Sequence, residues 1–252
     1  MLNILKYSKF YLIIVGIGMI ISLILLIIWG LPLNIEFKGG SQIEVQFDNE
    51  PDVEKIKEDI KKLNLGEVVV QKSEGNGVIL KTKRIDETEH KKILETLGNP
   101  KEISFENIIP TIGKELKTKT IIATLISVIL IGLYIFNTFK KSSFIIPSFH
   151  YSFAVVIAGI HDILMVCGIF AILGKFCGTE IGSPFIAAIL TILGYSINDT
   201  IIVLDRVREN IKIGSHEDIE ETLNVSLSQI IVRSIFTSLC VLFPLVAILI
   251  WG

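Results

Sequence analysis

The chain has 252 residues, half of them hydrophobic, with a formal net charge of −2 and a mean hydropathy of +0.62. A near-neutral balance leaves no basic footprint for nucleic acid. The apolar residues fall in runs long enough to cross a bilayer, about 20 residues each, which excludes a water-soluble globular class.

The first run, Phe10–Gly30, follows Lys6 and Lys9 as a signal sequence would, but it is too long for an h-region and no small-residue cleavage site follows it. It is expected to stay as an anchor, so residues 1–33 form an N-terminal segment with span 1. A polar stretch over residues 34–118 comes next. It opens on Phe37-Lys38-Gly39-Gly40, where paired glycines permit either an ordinary turn or a close backbone approach. Ser41–Phe47 alternates as a strand, and Val53, Ile56, Ile60 and Leu63 fit a helix entered at Pro51 and closed by Gly66. Glu67–Lys72 and Val78–Lys83 read as a hairpin around Glu74-Gly75-Asn76-Gly77. Ile85–Leu97 is a second helix and Glu102–Ile108 a last strand. The order βαββαβ is the ferredoxin-like pattern. His90, among Glu89, Lys91 and Lys92, is expected on a solvated helix face.

Pro110 and Gly113 mark the return to the membrane, where proline and glycine can set a bend or hinge, with structure and motion both open. Residues 119–252 hold four more apolar runs: Thr120–Phe139, Phe144–Leu173, Ile181–Leu204 and Ser234–Trp251. The fold class is therefore a polytopic α-helical membrane protein of five spans with a small α+β ferredoxin-like exterior domain between spans 1 and 2. Lysine and arginine collect at Lys6/Lys9, Lys140/Lys141 and Arg206/Arg208/Lys212/Arg233, whereas the loop 174–184 carries only Lys175. By the positive-inside rule the N-terminus is cytoplasmic and residues 34–118 are extracytoplasmic.

The fourth run carries Asn198-Asp199-Thr200 inside apolar sequence and ends in Asp205-Arg206. A carboxylate near mid-bilayer costs about 2.5–3.5 kcal/mol even on the lenient insertion scale, so it marks a functional site. Thr191, Tyr195, Asn198, Asp199, Ile202 and Arg206 recur at three- and four-residue steps and share one face. The fifth run starts near Arg233, with Gln229 one turn before and Thr237 one turn after. An arginine beside a carboxylate holds it charged while desolvation favours its neutral form, and a proton carrier needs that competition. The alternative is an acid packed by Asn198 and Thr200 that never titrates. His161-Asp162, flanked by Gly159 and Gly168, reads either as a second polar site or as a clasp between helices.

No metal-protease, P-loop, nucleophile-elbow or dinucleotide motif is present, and the three cysteines, Cys167, Cys177 and Cys240, show neither a disulfide framework nor zinc spacing. Packed thiols, no metal, no cofactor and no enzymatic activity are expected. The contexts of Asp162 and Asp199 lack the signatures of an intramembrane aspartyl protease.

The run Gly194-Tyr195-Ser196-Ile197-Asn198-Asp199-Thr200-Ile201-Ile202-Val203-Leu204-Asp205-Arg206-Val207-Arg208-Glu209-Asn210 resembles the fourth-helix signature of the SecD/SecF family of protein-export membrane proteins, in the resistance-nodulation-division superfamily, with Leu204 where Phe is usual. Glu36-Phe37-Lys38-Gly39-Gly40-Ser41 resembles the family's Asp-Phe-x-Gly-Gly-Thr, and Pro110–Leu116 resembles its Val-Gly-Pro-x-Val-Gly-x-Glu-Leu. His161-Asp162 and Asn224–Gln229, followed by Arg233, Thr237 and Ser238, also match. The resemblance implies an accessory subunit that uses proton-motive force in late steps of polypeptide export across the cytoplasmic membrane. Its implied partners are SecD, the SecYE channel, the translocating polypeptide and membrane lipid. It implies Asp199 as the proton-binding carboxylate, Arg233 as its charged neighbour and Asp162 as a weaker candidate. The family has six helices against the five read here, which would leave the last residues on the exterior side. A scaffold subunit without ion conduction and a small-solute or lipid exporter of the same superfamily are the competing readings.

Overall fold

The computed structural model describes residues 5–63, 65–66, 68–140, 147–214 and 218–251. The expected strand start at Glu67, the expected third-span start at Phe144 and the flanking Lys141 lie outside those residues. Among the described residues, five helices are long and apolar enough to cross a membrane. They are α1 (Ser8–Ile28), α5 (Pro110–Lys140), α6 (Ser148–Cys177), α7 (Ser183–Ile213) and α8 (Ile219–Trp251). Between α1 and α5 lie a short helix α2 (Ile35–Lys38), strand β1 (Gly40–Gln46), helix α3 (Val53–Lys61), strands β2 (Val69–Lys72) and β3 (Gly77–Thr82), helix α4 (Glu87–Thr96) and strand β4 (Lys101–Ile108). The expected class, five spans plus a small α+β domain, is the one observed.

The chain divides into two compact units, one of Pro32–Ala123 with Gly178–Ile186, the other of the remaining residues. In the first, a four-stranded antiparallel sheet has the order β2-β3-β1-β4. Period-two alternation sends Ile43 and Val45 of β1 and Val78 and Leu80 of β3 to one face, in register as Ile43↔Leu80 and Val45↔Val78. Helices α3 and α4 close that face with Ile56, Ile60 and Ile93. Each fully covered aliphatic side chain contributes about 1.5–3 kcal/mol by transfer from water, so this small core rests on few residues. Asp52 and Asp86 cap the two helices with their side chains.

One surface expectation is overturned. His90 stacks flat on Phe105 of β4 with ring centroids 4.0 Å apart, and its Nε2 lies 3.3 Å from the Glu102 carboxylate. Helical periodicity turns His90 toward β4, away from the Lys91 and Lys92 side.

In the other unit, α1 packs along α6, where Ser22 fits against Gly168 so closely that a Cβ there would lie 2.4 Å from its Oγ. Trp29 meets Phe176 edge to face at 5.6 Å. Ile135, Phe139, Tyr151, Val155, Leu193 and Ile197 form the core shared by α5, α6 and α7. The outward faces of the spans carry large exposed apolar side chains such as Leu12, Ile27, Leu130 and Leu249, as lipid contact requires.

The spans differ from the apolar runs at their ends. At the return, α5 starts at Pro110 and runs without a break to Lys140; proline is suited to the first helical position because it loses no intrahelical bond there. Helix α7 continues nine residues past Leu204, and α8 begins at Ile219, so Gln229 and Arg233 lie within it. Hydropathy marks where a helix meets hydrocarbon, whereas its polar turns continue beyond on hydrogen bonds alone.

Candidate ion-coupling site

Helix α7 is continuous across Asn198-Asp199-Thr200. The Thr200 hydroxyl donates to the Ser196 carbonyl at 2.9 Å and Thr191 to Ala187 at 2.8 Å, so both are satisfied within their own helix, as hydroxyls in apolar helices commonly are. Asn198 is exposed. Asp199 is half-buried, and among the described residues its carboxylate has no hydrogen-bond or ion-pair partner.

Asp199 lines a cavity of about 610 Å³ between α7 and α8, with Ala188, Thr191, Ile192, Tyr195 and Ser196 from one helix and Thr237, Ser238, Val241, Leu242 and Leu245 from the other. The hydroxyls of Thr237 and Ser238 are the facing polar groups on α8, and Thr237 donates to the Arg233 carbonyl at 2.9 Å.

The expected pairing of Asp199 with Arg233 is not formed. Arg233 lies one turn from Thr237 toward the start of α8 and lines a second cavity of about 160 Å³, with Ile202, Asp205, Arg206, Glu209, Gln229 and Ile230. The expectation placed Arg233 at the beginning of its helix, level with Asp199, whereas α8 begins fourteen residues earlier. Arg206 pairs with Glu209 at 2.9 Å and Arg208 with Asp205 at 2.7 Å, each one turn apart.

Asp162 accepts from or donates to His161 Nδ1 at 2.8 Å on the same helix, so the pair is a contact between neighbours rather than a clasp between helices. It lies outside the Asp199 cavity. A clasp does exist elsewhere: Asn210 Nδ2 donates to Ser226 Oγ at 2.8 Å and to Gln229 Oε1 at 3.1 Å, joining the end of α7 to α8. Arg208 also stands over the Phe139 ring at 5.3 Å, a cation–π contact with no local signal in the sequence. Gly194 has open space at its Cα, and Tyr195 is exposed.

At the border of the sheet domain, Phe37, Gly39, Gly40, Pro110 and Gly113 come together. Gly39 has φ +78° and a Cβ there would lie 2.5 Å from Pro110 Cα; one on Gly113 would lie 2.8 Å from the Phe37 carbonyl oxygen. A Cβ on Gly40 would lie 2.7 Å from the Thr82 carbonyl oxygen. The glycines and the proline therefore let the α2–β1 turn lie backbone to backbone on the first turn of α5, with Phe37 buried beneath.

A multi-pass membrane protein with a four-stranded antiparallel domain inserted after its first span, and an acid facing a cavity in its fourth, is the class so defined. Residues 89–252 match the family model described as protein export membrane protein SecD/SecF, C-terminal, and the chain belongs to that family. Curated relatives named protein translocase subunit SecF include those of Thermobaculum terrenum, 36% identical over 91% of this chain and 76% of the relative, and Sebaldella termitidis, 34% identical over 100% and 81%. The crystal structure of SecDF, a translocon-associated membrane protein from Thermus thermophilus, superposes with a TM-score of 0.86 at 26% identity, and SecDF in its super-membrane-facing form with 0.68 at 26% identity. This chain covers 34% of each of those longer chains and 100% and 98% of itself.

Proposed function

We propose that this chain is a SecF-type subunit of the protein-export machinery, a non-catalytic partner of SecD that uses proton-motive force to assist late translocation of polypeptides through the SecYE channel. The observation that carries the reading is Asp199: an acid in an apolar helix, facing a cavity, with no partner among the described residues to hold one protonation state. One charge moved through 100 mV yields about 2.3 kcal/mol, enough to bias a two-state equilibrium roughly fiftyfold. Asp199 takes a proton in one conformation and gives it up in another, and Arg233, one cavity away on the same seam, is its charged neighbour.

SecF relatives are named translocase subunits, and a related segment forms about a third of SecDF, which supports assembly with SecD. The lysine and arginine asymmetry supports a cytoplasmic N-terminus, an extracytoplasmic sheet domain over residues 34–118 and residence in the cytoplasmic membrane. Replacing Asp199→Asn while assembly is retained is expected to abolish gradient-dependent export measured in membrane vesicles. Export at the parent rate would leave a scaffold role in its place.

A further inference from the structure

We propose that Glu36 is a positioning residue that ties the head of α7 to the sheet domain, so that a displacement of α7 is passed to strands β1 and β3. The inference rests on the reading of Asp199 as the coupling acid.

Helix N-termini leave backbone N–H groups unsatisfied and carry partial positive charge, which a nearby carboxylate stabilises. Such caps usually come from the residue just before the helix. Helix α7 is capped instead from 147 positions away in the sequence: the Ser183 N–H and the Ser183 hydroxyl both donate to Glu36 Oε2. Asn34, which caps α2 and so orients Glu36, accepts from the Glu36 N–H at 3.0 Å.

A second set of contacts joins the same two segments. Lys81 of β3 pairs with Glu180 at 2.6 Å, with side chains only 14% and 25% exposed. Ile181, 1% exposed, forms a parallel bridge with Leu33, donating to the Pro32 carbonyl at 2.7 Å while its own carbonyl accepts from Asn34 at 3.0 Å. A Cβ on Gly182 would lie 2.5 Å from Asn34 Nδ2 and 3.1 Å from Glu36 Oε2, so any larger residue there pushes those two side chains aside.

The loop before α7 is thus bound to the domain by backbone bonds, an ion pair and a helix cap. From Ser183 the helix runs without a break to Asp199, about 24 Å along its axis at 1.5 Å per residue. A helix held at its head transmits an axial or rotational shift of its middle to whatever holds it. The Glu36 cap is a side-chain contact made directly to the helix, so its removal loosens the joint at the helix head while the other contacts keep the loop in place.

The test uses the full chain assembled with SecD in membranes, comparing gradient-dependent export with the pH-dependent infrared carboxyl band of Asp199. For Glu36→Ala, which removes both Ser183 bonds, the expected result is a fall in export of about tenfold or more, at least the worth of one charge-assisted hydrogen bond, with the Asp199 band retained. Glu36→Gln keeps an acceptor oxygen and is expected to recover part of the loss. Export within about twofold of the parent, or loss of the Asp199 band together with export, overturns the proposal. Should Glu36→Ala fail to assemble, Gly182→Ala displaces the same cap without deleting it and must give the same split; failure of both to assemble marks a purely structural role and overturns it too. Asp199→Asn is measured alongside. If it exports normally, the ion reading falls and takes this inference with it, whereas a dead Asp199→Asn beside a normal Glu36→Ala removes only the latch.

Discussion

Glycine at two positions shows how residue chemistry sets this structure. Gly39 and Gly75 both have positive φ, +78° and +61°, yet Gly75 has nothing within 4 Å of a Cβ while Gly39 faces Pro110 backbone. Gly75→Ala is expected to cost about 1 kcal/mol, the price of a left-handed alanine. Gly39→Ala adds a backbone clash and is expected to cost more than about 3 kcal/mol; thermal unfolding of the two variants in detergent, followed by circular dichroism, checks the order. The pairing of glycines with the following strand was legible in the sequence as a choice between a turn and a close contact. What they contact was not, because Pro110 lies some 70 residues away and no local pattern names a distant backbone. The same limit hid Glu36, whose partner Ser183 is on another helix, and Arg208, whose ring partner Phe139 is on α5.

Among the elements, α4 shows the clearest link from sequence to energetics. Asp86 accepts from the Thr88 hydroxyl at 2.6 Å and from the Glu89 N–H at 2.7 Å, and the Glu89 carboxylate accepts from the Asp86 N–H at 2.9 Å, a complete capping box. The Thr88 hydroxyl first, and then the Glu89 N–H, hold the Asp86 carboxyl below the usual aspartate range. A depressed folded-state value means the cap contributes above the unfolded aspartate value and is lost as pH falls through the folded one. Protection of the first-turn amides of α4 against exchange, relative to their intrinsic rates, is therefore expected to fall in that acid window in the parent and to show no such step in Asp86→Asn; the same protection profile in the two would contradict the cap. The βαββαβ order was readable because both periods, two for strands and 3.6 for helices, are clean over residues 41–108. Span ends were not, since α7 and α8 carry polar turns past the apolar runs; Arg233 and Asp199 line different cavities, which hydropathy alone does not show.

For the whole molecule, the proposed membrane sidedness rests on where lysine and arginine fall. Cysteines introduced at Gly75→Cys and Gly214→Cys, both at open positive-φ turns, are expected to react with an impermeant thiol reagent from opposite sides of sealed cells and inverted vesicles; labelling of both from one side would reverse or break the proposed topology. The number of spans and the inserted domain were legible from hydropathy and periodicity, and the family from the fourth-span run, because those signals are local. How the acid is served by its surroundings depends on helices far apart in sequence, and only the structure shows Asp199 facing Thr237 and Ser238 across a cavity rather than an arginine. The most direct measurement is an infrared titration of the Asp199 carboxyl in the assembled complex, with Asp199→Asn to assign the band, in the presence and absence of a proton gradient. A band that titrates within the working pH range and shifts when the gradient is applied is predicted; a carboxyl that keeps one protonation state under both conditions would contradict proton coupling at this site.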